Sequence, residues 1–356
     1  WGFFEDSKIK NFKNLFPHRP LQEARTSTHS IKEQLTWLLK QAPSSGKNVE
    51  LQFNSRLVFT DKLPMLLKKI TAGVPGQQWQ NPSGDIVAKL GKPSESAKPS
   101  TLALTLLEQP HQLITNLNEN LAYALEFYIL NQKLKKQKQD FFAASDSHFD
   151  HVIFNDTAGP IVIEERVKIE PFCYLMGPLF IGAGTQIKSH TRLSHNSFGS
   201  ECRLAGEISN SIFDGYSNKA HHGYVGHSYI GQWVNLGAGT SNSNLKNTYG
   251  QIQLHNGDEV IPTGQQMMGA LLADFVKTGI NTSITCGSLW SVGAQYVMAA
   301  GVAPKFIKPF GFEINAGSTT QPFEKFIATA ERMMARRKQT LTPEQRQNLS
   351  LVYTHS

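Results

Sequence analysis

At 356 residues the chain is long enough for two domains with separate cores, and 40% hydrophobic with 18% charged residues is an ordinary globular balance. The net charge of +7 gathers at Lys68-Lys69, Lys133 to Lys138 and Arg332 to Lys338. Such clusters suit solvated helix faces or an anionic small molecule. None is interleaved with base-stacking aromatics, so no nucleic-acid partner is expected. Three scattered cysteines, Cys173, Cys202 and Cys286, form no Cys-x-x-Cys pair, which argues against a disulfide framework and a cysteine zinc site. No apolar run suits a membrane span or a signal peptide, and a cytoplasmic protein is expected. Because the chain begins at Trp1 rather than Met, a trimmed N-terminus is expected.

Residues Trp1 to about Ala72 mix short apolar runs with helical patterns. Glu50 to Thr60 reads as a strand pair, or one strand with a turn at Asn54-Ser55, and Lys62 to Ile70 as a short helix. Gly73 to Ser100 is rich in Gly, Pro, Gln and Ser and reads as a linker with one strand at Asp85 to Leu90. From Gln112, Leu113, Leu117, Leu121, Leu125 and Tyr128 recur at helical spacing, which predicts a packing helix to about Lys136.

The second half changes period. Ile163, Ile169, Leu175, Ile181, Ile187 and Leu193 are six residues apart, and small or branched residues from Val167 to Ser197 sit four positions after each. The same spacing returns at Ile230 and Leu236, then at Ile280, Cys286, Val292 and Met298. Six fits neither a helix nor a simple alternating strand. It fits a solenoid in which each hexad is one short strand and a turn, and three hexads close a triangular coil. Gly182, Gly184, Gly231, Gly237 and Gly239 are expected at the corners, where positive φ is needed. The run breaks between Phe198 and Tyr229, which reads as a loop protruding on the binding face. The pattern ends near Pro309. Phe323 to Lys338 then reads as a helix, and Thr342-Pro343-Glu344-Gln345 as a capping box opening a last one.

The broken stretch, Glu207 to Gly250, concentrates His221, His222, His227, Lys219, Tyr224, Asn235, Asn242 and Asn244. These groups can bind a phosphate, orient an amide and move a proton. Gly215 to His221, Asn235 to Ala238 and Asn242 to Lys246 resemble the acetyltransferase half of the bifunctional N-acetylglucosamine-1-phosphate uridyltransferase/glucosamine-1-phosphate acetyltransferase family, in its divergent bacterial branch. Lys305-Phe306-Ile307 and Ala330 to Arg337 also fit that branch, and the resemblance covers most of residues 100 to 340. Phe4-Glu5-Asp6, Arg19-Pro20, Arg25 and Leu106 to Pro110 more weakly resemble its nucleotidyltransferase domain and junction, without a Gly-rich phosphate loop near residue 10.

The resemblance implies the fold class and division. These are a reduced nucleotidyltransferase-like α+β domain over residues 1–110, a connecting helix and linker over 111–150, a left-handed parallel β-helix over 151–310, and a C-terminal helical tail over 311–356. It also implies acetyl-CoA as co-substrate, an amino-sugar phosphate as acceptor and a homotrimer, with magnesium needed only if the front domain transfers a nucleotide. His221 would be the general base, with His222 competing because the doubled histidine leaves the register open, and Glu207 would orient it. Lys219 and Tyr224 would line the sugar-phosphate pocket. Lys188 and Arg192 sit where a phosphate-binding Arg is expected. Asn235, Asn244 and Lys246 would contact the substrate, and Ala238 with Gly239 the acyl donor. One departure stands out: the family's Lys two residues after the carboxylate is Ser209 here. Two other readings remain open. One is a hexapeptide-repeat zinc carbonic anhydrase using His222, His227 and either His190 or His195. The other is a non-catalytic sugar-nucleotide-binding scaffold.

Overall fold

A computed structural model describes residues 1–41, 50–92, 98–131, 134–137, 140–298, 302–314 and 317–356. The expected fold class is the observed one: an α+β front unit, a left-handed parallel β-helix and C-terminal helices. Lys133, Lys138 and residues 93–97 of the expected linker lie outside the described residues.

The front sheet runs β1 (Gly2–Phe4), β2 (Leu51–Asn54), β4 (Ile86–Leu90), β3 (Gln78–Gln80), β5 (Ser100–Thr101), with parallel and antiparallel neighbours mixed. Helices α1 (Ile31–Gln41) and α2 (Leu63–Thr71) close its core, in which Leu35, Phe53, Leu67, Ile70, Trp79 and Val87 are buried. The turn after Asn54, the helix after Lys62 and the strand before Gly91 stand where the residues placed them. The Gly73 to Ser100 stretch is more than a linker: Trp79 is buried and draws a second strand, β3, into the sheet. The expected Gln112 to Lys136 helix is also corrected. It breaks at Asn116 into α3 (Gln112–Thr115) and α4 (Leu117–Asn131), and Lys135–Lys136 pair antiparallel with Phe142 and Ala143. That pairing covers the open first edge of the β-helix, a hazard that helical propensity does not register.

The β-helix has three faces. On the first, Ile163, Ile181, Phe198, Phe213, Ile230, Leu272, Trp290 and Ile307 stack inward in parallel register. Phe149, Ile169, Ile187 and Leu204 do so on the second face, and Leu175, Leu193, Ile208 and Val225 on the third. Outward residues of the first face, including Val162, Phe180, Ile212, Tyr229, Leu271 and Leu289, are apolar too. They are covered by Phe12, Leu15 and Phe16 and by Leu117, Leu121, Leu125 and Tyr128. A sheet buried on both faces loses the polar alternation of a half-exposed strand.

The first hexad run has the expected phase; the last does not. Ile280 is 69% exposed, and the inward row there is Leu272, Thr278, Ile284, Trp290 and Tyr296, two residues earlier. Val292 is buried, but in an outer cluster with Phe326 of the C-terminal helix. The stretch from Phe198 to Tyr229 is not a protruding loop. It continues as coils shortened at their corners, shown by the register Phe198 to Phe213 to Ile230. The insertion comes later, between Asn242 and Ala270, and carries the hairpin Gln253–Asn256/Glu259–Pro262. Among the expected corner glycines, Gly184 and Gly239 have positive φ, whereas a Cβ at Gly182, Gly231 or Gly237 would collide with the backbone of the next coil. Many corners hold positive φ at other residues instead, among them His190, Asn210, His227 and Trp233.

The coils extend past Pro309 to Gly311–Ile314. Helix α5 (Phe323–Ala335) packs Phe326, Ile327 and Met334 on Trp233, Phe275, Val292 and Phe310. The expected capping box opens α6 (Pro343–Thr354): Thr342 accepts from the Gln345 amide while the Gln345 side chain accepts from the Thr342 amide. The front segment is pinned to the β-helix by Arg19. Its guanidinium sits between Asp214 and Asp274, His18 pairs with Asp274 at 3.1 Å, and the Tyr229 hydroxyl donates to Asp214 at 2.9 Å.

Candidate functional site

The third face positions most of the polar residues. Tyr174, Arg192, Glu207 and Tyr224 occupy matching outward positions on successive rungs, so neighbours stand about 4.8 Å apart. The Arg192 guanidinium lies over the Tyr174 ring, 5.7 Å from its centroid. Glu207 is exposed between Arg192 and Tyr224. The Tyr224 hydroxyl lies 3.0 Å from the Ser209 hydroxyl and accepts from the Asn244 amide at 2.9 Å. That same amide nitrogen is 2.8 Å from Nδ1 of His227. With Asn244 donating, Nδ1 accepts, which puts the proton of a neutral ring on Nε2. Burial lowers the His227 pKa and favours that neutral form. Ser209, noticed in the sequence only for the lysine it replaces, is thus a partner of Tyr224.

His221 and His222 form the corner between the second and third faces. Both are exposed, and neither ring has a hydrogen-bond partner among the described residues. In the preceding coil only Ala205 and Gly206 separate Leu204 from Glu207. This corner is cut so short that a Cβ on Gly206, already at φ +81°, would come 2.6 Å from the Gly223 carbonyl. Such trimming is what erases the hexad period here.

Lys219 does not line a surface pocket. It pairs in register with Leu204, points into the β-helix and is 1% exposed. Its ammonium donates to the His221 carbonyl at 2.7 Å and the Ala205 carbonyl at 3.3 Å. With no carboxylate beside it among the described residues, burial lowers its pKa to about 8.

The remaining candidates lie as follows. Ala238 and Gly239 form the next rung of the histidine corner: the Gly239 amide donates to the His222 carbonyl, and the Ala238 carbonyl accepts from Asn281. Asn235 is on the second face, in a row with Asn218 and Lys277, and accepts from Asn218 at 3.2 Å. It therefore faces away from Tyr224 and Asn244. Lys188 is an exposed residue paired with Glu170 at 2.7 Å, and Lys246, in the insertion, donates to the Gln251 carbonyl at 2.6 Å. The chain thus brings Arg192, Glu207, Tyr224, Asn244, His221 and His222 to one face and its corner. It holds Asn235 across that corner and Lys219 beneath it. The histidines weighed as zinc ligands, His190, His195, His222 and His227, do not converge: among the described residues no three His, Cys, Asp or Glu side chains gather into a metal-holding group. No helix among the described residues is long and apolar enough to cross a membrane.

No family model matches the chain. It is 33% identical over 136 residues to a bifunctional sugar-1-phosphate nucleotidylyltransferase/acetyltransferase of Sulfurisphaera tokodaii, covering 36% of this chain and 33% of that protein. It is 25% identical over 231 residues to the bifunctional protein GlmU of Cyanothece sp., covering 54% of this chain and 46% of that one. The chain therefore spans a third to about half of these relatives. Among solved structures, AntD, an N-acyltransferase from Bacillus cereus in complex with dTDP and 3-hydroxybutyryl-CoA, is 11% identical, covers 56% of this chain and 89% of its own, and superposes with a TM-score of 0.20. That superposition is too loose to compare sites. The polar face and corner just described therefore belong to a β-helix chain that is a distant, partial relative of bifunctional nucleotidyltransferase–acetyltransferases.

Proposed function

We propose that the chain is an acyl-CoA-dependent N-acyltransferase acting on an amino-sugar phosphate at the histidine corner and third face. The observation that supports this best is the outward row Arg192–Glu207–Tyr224 beside the exposed His221-His222 corner. A cation for phosphate, a carboxylate and an imidazole stand there on neighbouring rungs. In this reading the substrate amine attacks the thioester carbonyl and the carbon–sulfur bond breaks. One corner imidazole accepts the amine proton, and the thiolate leaves as the free thiol after protonation. Glu207 favours the imidazolium that forms. The Ala238 backbone amide would face the oxyanion, while the Gly239 amide, given to the His222 carbonyl, orders the corner beside it.

Asn235 faces the other way from Asn244, so the two amides can meet one substrate only if a second copy supplies one of them. In this reading the site lies between copies of a homotrimer, the assembly that the family resemblance implies. The test is acetyl-CoA turnover with glucosamine-1-phosphate, alongside the mass in solution. His221→Ala or His222→Ala lowers kcat at least a hundredfold, and the protein runs as a trimer. If neither substitution slows turnover, the base assignment and with it this site are wrong.

A further inference from the structure

The second face carries a polar row on its outer side. Arg203, Asn218, Asn235, Lys277 and Gln295 occupy matching positions on successive rungs. Helix α5 reaches this row at both ends. Gln321, just before the helix, accepts from Gln295 at 2.8 Å, and Arg337, just after it, donates to Asn218 at 3.0 Å. Asn235 and Lys277 lie between those anchors. The first donor orders the row. Arg337 can only donate, so Asn218 meets it with Oδ1 and turns Nδ2 to Asn235, which accepts with Oδ1 at 3.2 Å. The Asn235 amide nitrogen is therefore the free end of the chain of bonds. It has no partner among the described residues and is open to solvent.

Half-buried Lys277 stands one rung on, at a strand spacing of about 4.8 Å. Its one hydrogen bond among the described residues is a long one, 3.3 Å, to the Phe275 carbonyl. Burial lowers its pKa to about 8, and no carboxylate among the described residues offsets that effect. Glu201, at the Asn218 end of the row, sits with Arg203 at 2.9 Å and Arg337 at 4.0 Å instead. At the other end Gln321 gives its amide nitrogen to the Gly293 carbonyl, so its oxygen takes the Gln295 nitrogen; Lys277 makes no bond to the Gln295 oxygen. Two donors on neighbouring rungs cannot satisfy each other, and an ammonium without a counter-charge is costly to hold. A negatively charged group with two or more oxygens answers both needs, one oxygen taking the amide and another the ammonium. A neutral carbonyl would leave the charge uncompensated.

We propose that Asn235 and Lys277 bind a small oxyanion, a phosphate or a carboxylate, and that Arg337, acting through Asn218, positions the Asn235 amide for it. This goes beyond the acyl-transfer reading: the anion binds whether or not a thioester is turned over, so the failure of either leaves the other standing. The test is thermal unfolding of the full chain at constant ionic strength, titrated separately with inorganic phosphate, acetate and chloride. Phosphate or acetate raises Tm saturably and chloride does not; the one that saturates at lower concentration gives the class of the anion. Lys277→Met weakens the response at least tenfold. Asn218→Asp, whose carboxylate can only accept, draws the Asn235 amide nitrogen to itself. It weakens the response at least tenfold on its own but less than twofold in an Asn235→Ala background. An equal loss in both backgrounds would be the field of the added charge and would overturn the positioning role. The wild type supplies a reading that needs no variant to fold: the bound anion holds the Lys277 amine protonated and slows its reductive methylation several-fold, followed by peptide mass. A response to phosphate and acetate no larger than to chloride, a Lys277→Met protein that responds like the wild type, or methylation of Lys277 unchanged by the anion overturns the proposal.

Discussion

Lys219 shows most clearly what a single residue does here. In sequence it stands inside a polar motif and reads as a ligand; in the structure it takes the place of Leu204 one rung on. An ammonium in that position depends on two carbonyls and has no counter-charge among the described residues, so the folded state favours the neutral amine more than the unfolded chain does. Its pKa falls from 10.5 to about 8. Below about 8 the group is charged in both states and the full penalty applies. Between about 8 and 10.5 the unfolded chain holds more protons, so this contribution to stability rises with pH. Lys219→Met therefore stabilises the protein at pH 7, by about 1–3 kcal/mol. The gain shrinks as the pH approaches 10. Urea unfolding midpoints at pH 7 and pH 10 check both statements. A loss of stability at pH 7 would mean that the two carbonyl bonds outweigh the burial of the charge.

At the scale of the element, the coil is a unit whose length can change while its rungs stay in register. Where coils keep three hexads, as from Ile163 to Ile181, the inward residues are legible at a period of six. Where corners are trimmed around Gly206 or an insertion intervenes after Asn242, the period resets. The last run then acquires a second regular row, Ile280 to Met298, that mimics the inward one. The two phases make opposite predictions. Trp290, wholly buried in the inward row, should cost about 3–5 kcal/mol when changed to Ala. Ile280→Ser, at an exposed corner, should cost less than about 0.5 kcal/mol. Denaturant unfolding of the two variants checks the register, and a reversed order of cost would restore the phase read from the sequence.

Across the whole molecule, the front segment and the β-helix share one buried electrostatic joint. Asp274 has its pKa lowered to about 2: burial alone would raise it, but Arg19 and His18 outweigh that effect. Its contribution is present above the ordinary carboxylate value of 3.8 and is lost as the pH falls through about 2. Arg19→Met leaves Asp214 and Asp274 buried without their shared cation and should cost about 3–5 kcal/mol at pH 7. The deficit narrows in acid as Asp274, no longer held by the guanidinium, protonates. Chemical unfolding of both proteins from pH 7 to pH 3 measures this, and an unchanged stability would show that the joint does not hold the two parts together.

The sequence by itself determined the β-helix, because a narrow core must receive a side chain at a fixed interval and aliphatic residues report that interval directly. It also determined the Thr342 capping box, α2 and β4, whose residue patterns are local. It gathered the polar residues of the histidine corner as well, since they fall within a few coils of one another in the chain. Only the tertiary structure decided which of them share a face. Asn235 and Asn244 are nine positions apart yet look in different directions, and Lys219 disappears inside, because direction depends on how many residues each corner keeps. Arg19 and Arg25 acquire their meaning from Asp214, Asp274 and Phe180, each more than a hundred residues away. Charge balance and burial between such distant segments are properties of packing, and no local pattern in the chain encodes them.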